Sequence, residues 1–201
     1  MTDALWFFGR GSGVVTLVLI SIVVALGVGA RSGRPAFGLP RFAVSLLHRN
    51  AALLAMVLLA GHVLGLYFDP YAQLRLVDLV LPFAGRYRPI WLGLGTLAID
   101  LIVAIVVTSL LRKRIGARVW RIVHRLAYLC WPLAVLHGVQ TGTDGRTWWM
   151  WTVVAACVGM VLAAVAWRLS PGFARFPQRV ERRVSASAAE RSASALEGAP
   201  R

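Results

Sequence analysis

The most informative residues of this chain are its four histidines, which form two pairs of nearly equal spacing. His48 and His62 lie fourteen residues apart, and His124 and His137 lie thirteen residues apart. Since each pair lies in an apolar stretch, a helical rise of about 1.5 Å per residue separates its members by roughly 20 Å. Two such helices side by side would present imidazoles at two depths, as two stacked six-coordinate haems require.

The composition indicates a membrane protein, because hydrophobic residues make up 58% of the 201-residue chain. The chain is also basic, with 22 Lys and Arg against 8 Asp and Glu. These cations flank apolar segments, so we attribute their excess to membrane topology and expect no nucleic-acid partner. We predict a single multi-pass domain in the lipid bilayer of the plasma (inner) membrane.

Five apolar segments are long enough to cross a bilayer. The predicted spans lie near residues 12–30, 43–67, 90–111, 119–140 and 147–168. The first segment is long for a signal peptide and its basic cluster follows it rather than precedes it, which favours a retained span. The fold class predicted from these segments is an all-α membrane protein, with five transmembrane helices in a haem-binding bundle.

The distribution of Lys and Arg predicts the orientation of the bundle. Basic clusters follow the first span, separate the third from the fourth, and follow the fifth, so the N-terminus should be outside and the C-terminus cytoplasmic. We therefore divide the chain into an outer N-terminal segment, 1–11, a transmembrane haem domain, 12–168, and a disordered basic cytoplasmic tail, 169–201.

This topology also predicts which histidines meet. The second and fourth spans run in the same direction, so equal depth pairs His48 with His124 near the cytoplasm and His62 with His137 near the outer side. Arg49 and Arg125 each follow an inner histidine. They are candidates to bind haem propionates, and snorkelling to the interface is the equal alternative.

Helical phase supports a shared face for one pair and requires a bend for the other. Fourteen residues at 100° per residue return to within about 40° of the starting direction, whereas thirteen residues end about 140° away. Pro132 lies between His124 and His137 and lacks a backbone N–H. We therefore predict a kink at Tyr128–Pro132 that brings both rings to one face.

Two other uses of the histidines stay open. A zinc or copper site would need three or four ligands at one point, whereas these pairs are about 20 Å apart by helical rise. The histidines could also serve assembly of a non-catalytic membrane module. The chain lacks a Cys-x-x-Cys-His motif, which favours two non-covalent haem b groups, with the four histidines as axial ligands of the haem iron.

The residues around the histidines resemble those of a known family. The run from Arg118 through His124 to Tyr128, continuing to His137, and the stretch from Leu47 to His62 are similar to the haem helices of the ferric reductase-like transmembrane family. That family includes ferric reductases, NADPH oxidases and the haem membrane subunit of a periplasmic methionine sulfoxide reductase system. The resemblance implies two b-type haems that carry electrons between the cytoplasmic and outer sides.

The sequence contains no Gly-rich dinucleotide loop and no segment that suits a flavin domain. We therefore expect a membrane cytochrome b that acts as the electron-transfer subunit of an oxidoreductase and takes electrons from a separate flavoprotein or a quinol. The expected outer acceptor is ferric iron, oxygen or a periplasmic reductase. Whether the chain is itself an enzyme stays open.

Overall fold

The computed structural model describes residues 2–32, 39–70 and 72–170 of the chain. Most of these residues are helical because long apolar runs satisfy their backbone hydrogen bonds internally. The helices in chain order are α1 (Thr2–Ser32), α2 (Arg41–Tyr67), α3 (Leu76–Val80), α4 (Pro89–Leu110), α5 (Arg112–His124), α6 (Ala127–Thr141) and α7 (Trp148–Leu169), with a 3₁₀ turn (Thr143–Arg146) before α7. Most of the predicted tail, 169–201, lies outside the described residues.

Four of these helices, α1, α2, α4 and α7, are long and apolar enough to cross a membrane. The adjoining helices α5 and α6 pass the same test together and form a fifth candidate span that is bent by 44°. The prediction of a multi-pass, all-helical membrane protein is therefore confirmed. Helix α1 begins well before the predicted start of the first span, at Thr2.

The predicted kink at Tyr128–Pro132 is wrong, because the span bends instead at the junction of α5 and α6. The two helices are separated by Arg125 and Leu126, before the predicted kink at Tyr128–Pro132, and Pro132 lies inside α6. The amide of Leu126 bonds to the carbonyl of Val123 (2.9 Å) and that of Tyr128 to Arg125 (3.1 Å). These i→i+3 bonds tighten the chain, so the turn geometry at the junction makes the bend.

Helix α1 is the centre of the bundle and packs against α2, α6 and α7. Leu17 of α1 forms a buried cluster with Met150 and Val154 of α7. The indole Nε1 of Trp131 on α6 donates to the hydroxyl of Ser21 on α1 (2.8 Å). Helix α4 packs on α5 and α6 from the other side. Among the described helices, α2 packs closely only against α1. Helix α1 also packs against α6, so it positions α2 relative to the α5–α6 span.

Polar contacts close the end of the bundle at which α1 begins. Arg10 of α1 forms an ion pair with Asp144 of the 3₁₀ turn. Arg88, before α4, donates to the carbonyl of Gln140 on α6 (2.5 Å). These contacts tie the N-terminal ends of α1 and α4 to the C-terminal end of α6.

Candidate cofactor site

The structure brings the four histidines together in the two pairs that equal depth predicts. The rings of His48 and His124, here called pair A, have centroids 6.3 Å apart and planes at 70°. The rings of His62 and His137, here called pair B, have centroids 6.4 Å apart and planes at 81°. In each pair one ring comes from α2 and the other from the α5–α6 span. The bend therefore brings His124 and His137 to the same side, as the predicted kink was meant to do.

The separation within each pair fits one metal ion between two imidazoles. Metal–imidazole nitrogen bonds are about 2.0–2.1 Å long, which places two opposed ring centroids about 6–6.5 Å apart. The observed separations of 6.3 and 6.4 Å fall in this interval. The rings are therefore spaced as two axial ligands would be, without direct hydrogen bonding between them.

Three of the four imidazoles are fixed by a backbone carbonyl through Nδ1. His48 donates to the carbonyl of Val23 (2.9 Å) and His62 to that of Gly9 (2.6 Å), both on α1. His137 donates to the carbonyl of Trp91 on α4 (2.9 Å). A carbonyl only accepts, so Nδ1 carries the proton and Nε2 keeps the lone pair that a metal ligand needs.

His124 differs from the other three. Its Nδ1 is buried and has no hydrogen-bond partner among the described residues. Its ring instead stacks on Trp120, one helical turn earlier, with centroids 5.1 Å apart and planes at 28°. The guanidinium of Arg112 lies over the other ring of this stack, 4.1 Å from the centroid of Trp120.

Arg49 and Arg125, the two predicted propionate ligands, are exposed next to pair A. Both alternatives for these side chains, propionate binding and snorkelling, therefore stay predictions. In residues 2–32, 39–70 and 72–170, no group of three His, Cys, Asp or Glu side chains is arranged to hold a metal ion. Two protein ligands per site suit a haem, because its macrocycle supplies the other four nitrogens.

Three glycines that the sequence did not single out contact the histidine rings. A Cβ atom built on Gly13 would lie 2.8 Å from the His62 ring, and one on Gly95 would lie 2.5 Å from the His137 ring. One on Gly27 would lie 3.2 Å from the His48 ring. A signal for two of them was present in the sequence: Gly13 and Gly27 are fourteen residues apart, the same spacing as His48 and His62.

Comparison with known proteins identifies the transmembrane region. Residues 12–135 match the family model described as ferric reductase like transmembrane component. The matched region contains both histidines of pair A and one of pair B, His62, and ends just before His137. No curated protein and no solved structure matched the chain.

Proposed function

Since the chain belongs to the family of ferric reductase-like transmembrane components, we propose that it is a membrane cytochrome b that carries electrons across the bilayer through two haems. The observation that carries this proposal is the spacing of the histidines. Two depth-matched pairs, with ring centroids 6.3 and 6.4 Å apart, offer two bis-histidine sites in one bundle. Pair A and pair B would each hold one haem b.

The residues of this chain hold and orient the two haems. The carbonyls of Gly9, Val23 and Trp91 hold three imidazoles with Nε2 free for the iron. The surrounding apolar helices lower the dielectric constant and exclude water. When bound, each haem supplies one-electron chemistry by cycling between ferric and ferrous iron.

The basic surface near pair A supports donation of electrons on that side. Arg112, Lys113, Arg114 and Arg118 are exposed on α5, six to twelve residues before His124. We propose that this side is cytoplasmic and accepts electrons from a separate acidic flavoprotein or from a quinol. The acceptor would then lie near pair B, outside the plasma membrane, and be ferric iron, oxygen or a periplasmic reductase.

Electron transfer across a sealed membrane tests this function. The purified, haem-loaded protein is reconstituted into vesicles that contain ferricyanide, and a membrane-impermeant reductant is added outside. We expect ferricyanide reduction that depends on the protein and that falls to the level of protein-free vesicles in His62→Ala and His124→Ala. Haem that is reduced by the external reductant while ferricyanide stays oxidised would contradict transmembrane transfer and favour a module that only binds haem or assists assembly.

The identity of the electron donor is tested with the same purified, haem-loaded protein in solution. A hydride donor and a one-electron haem need a converter between them, so NADPH alone should not reduce the protein. We expect reduction by a quinol analogue, or by NADPH only after a flavoprotein is added. Rapid reduction by NADPH in a flavin-free preparation would overturn this part of the proposal.

A further inference from the structure

The carbonyls that hold the histidines occur at a repeated position on α1. The carbonyl of Gly9 binds His62, and the glycine that contacts the same ring, Gly13, lies four residues later. The carbonyl of Val23 binds His48, and Gly27 again lies four residues later. The two sets are fourteen residues apart, so α1 repeats the spacing of α2 with the opposite chain direction.

Helix α4 has the same arrangement of a histidine-binding carbonyl with a glycine four residues later. A second pair of positions on α4 has the same spacing but no glycine. The carbonyl of Trp91 binds His137, and Gly95 lies four residues later against that ring. Fourteen residues further along α4, the corresponding positions are Ile105 and Ser109. Ser109 contacts Trp120 of α5, the helix that ends at His124.

The glycine is needed for a steric reason. In an α-helix the Cα–Cβ bond leans towards the N-terminus, so the side chain at one position covers the carbonyl four residues earlier. A glycine leaves that carbonyl open to a second donor besides the helical amide. It also lets an imidazole lie against the backbone, as the Cβ distances of 2.5–3.2 Å at Gly95, Gly13 and Gly27 show.

At Ile105 and Ser109, the fourth occurrence of this spacing, a serine takes the place of the glycine. The hydroxyl of Ser109 donates to the carbonyl of Ile105 (2.6 Å), so the acceptor is already used. Ser109 in turn accepts a hydrogen bond from Nε1 of Trp120 (3.2 Å), whose ring stacks on His124. His124 is therefore oriented by an aromatic ring, and its Nδ1 has no acceptor among the described residues.

We propose that Gly13, Gly27 and Gly95 are positioning residues for three axial imidazoles. The hydrogen-bonded residues Ser109 and Trp120, which stand in place of the carbonyl and glycine at His124, make the haem site of pair A asymmetric. This inference rests on the proposed haem function. In pair B both ligands donate Nδ1–H to a carbonyl, which raises their basicity and favours ferric iron. In pair A, within the described ranges, only His48 does so. The haem of pair B should therefore be held more tightly, and loss of a carbonyl bond there should raise its reduction potential.

The test replaces each glycine by alanine and compares it with a glycine of α1 that contacts no side chain. Gly11 is that control, because a Cβ built on it meets no atom within 4 Å. Haem content, the electron paramagnetic resonance spectrum of the low-spin ferric haems and the potential of each haem are measured for every variant. We expect Gly95→Ala and Gly13→Ala to lose at least half of the pair B haem, or to alter its spectrum and raise its potential.

Gly27→Ala should affect only the pair A haem, and less strongly, because its Cβ has more room. The unaffected haem in each variant reports that the bundle is folded, and helicity by circular dichroism serves where both haems are lost. Wild-type spectra, potentials and haem content in Gly13→Ala and Gly95→Ala, with two haems in the native protein, would overturn this inference alone. A native protein without haem would overturn the proposed function and this inference together.

Discussion

Pair A and pair B have almost the same ring geometry but different surroundings. Their centroid separations are 6.3 and 6.4 Å, and both join α2 to the α5–α6 span. Pair B has a backbone carbonyl on each Nδ1, supplied by α1 and α4. In pair A the described residues provide one such bond, and the second ring stacks on Trp120, over which the guanidinium of Arg112 lies. The distance between the two rings of a pair is therefore set by helix packing, whereas the hydrogen bond on each Nδ1 depends on the neighbouring backbone.

The electrostatic surroundings of the pairs differ in the same direction. Exposed cations on α5 lie near pair A, and positive charge favours ferrous over ferric iron. Near pair B, Arg10 is neutralised by its ion pair with Asp144, whereas Arg88 and Arg146 are exposed. The difference in carbonyl bonds and the basic cluster on α5 would together give a haem bound at pair A the higher reduction potential. Transfer from pair A to pair B would then be an uphill step, so the proposed direction requires a strongly reducing donor at pair A and an oxidising acceptor near pair B.

Substitution of the histidines should give the largest effect and tests the pairing most directly. We expect His62→Ala and His137→Ala to remove one haem and His48→Ala and His124→Ala to remove the other, each lowering the content from about two to about one per chain. Haem assay and redox titration of the four variants measure this. A phenotype shared by His48→Ala and His137→Ala, and absent from the other two, would contradict the pairing.

The next effect concerns exchange of the weaker ligand. Because Nδ1 of His124 has no hydrogen-bond partner in the described part of the chain, carbon monoxide should compete with His124 more readily than with the histidines of pair B. We expect Trp120→Leu to increase the fraction of reduced haem that binds carbon monoxide several-fold, measured by difference spectra. Trp151→Leu, on the exposed surface of α7, is the control. Equal carbon monoxide binding in the native protein and in Trp120→Leu would show that the stacked ring does not hold His124.

A smaller effect is expected from the ion pair next to pair B. Arg10 directly follows Gly9, whose carbonyl binds His62, so loss of its contact with Asp144 should loosen this end of α1. The side chains are 22% and 27% exposed, which limits the contribution to about 1 kcal/mol or less. We expect Arg10→Ala to lower thermal stability slightly and to speed loss of the pair B haem. Arg31→Ala, at the other end of α1, should leave that haem unchanged, and equal haem loss in both variants would argue against a local effect.

The smallest effect is a pH dependence outside the spans. Hydrogen bonds from Arg75 lower the pKa of Asp78, on α3, below its ordinary value of 3.8. Its contribution to stability is therefore complete above pH 3.8 and is lost as the pH falls through the lower pKa of the folded protein. We expect Asp78→Asn to be less stable than the native protein at neutral pH, with a difference that shrinks on acidification below pH 3.8. A difference that is constant down to the acid limit of the bundle would contradict this.

Much of the fold could be predicted because membrane helices are specified by long apolar runs. The same runs, with the Lys and Arg clusters between them, paired His48 with His124 and His62 with His137. The position of the bend could not be predicted from Pro132, because the i→i+3 bonds at Leu126 and Tyr128 depend on packing around the junction. The glycines were missed because a missing Cβ becomes meaningful only when the ring that contacts it is known.

The central claim is that each histidine pair holds one haem, and direct measurement of haem per chain tests it best. The native protein is purified from cells supplied with haem and assayed by the pyridine haemochrome method, with Gly11→Ala as a matched preparation. We predict about two haem b per chain, both low-spin and six-coordinate. A folded, helical preparation that contains no haem, and takes up none when haem is added, would contradict the account.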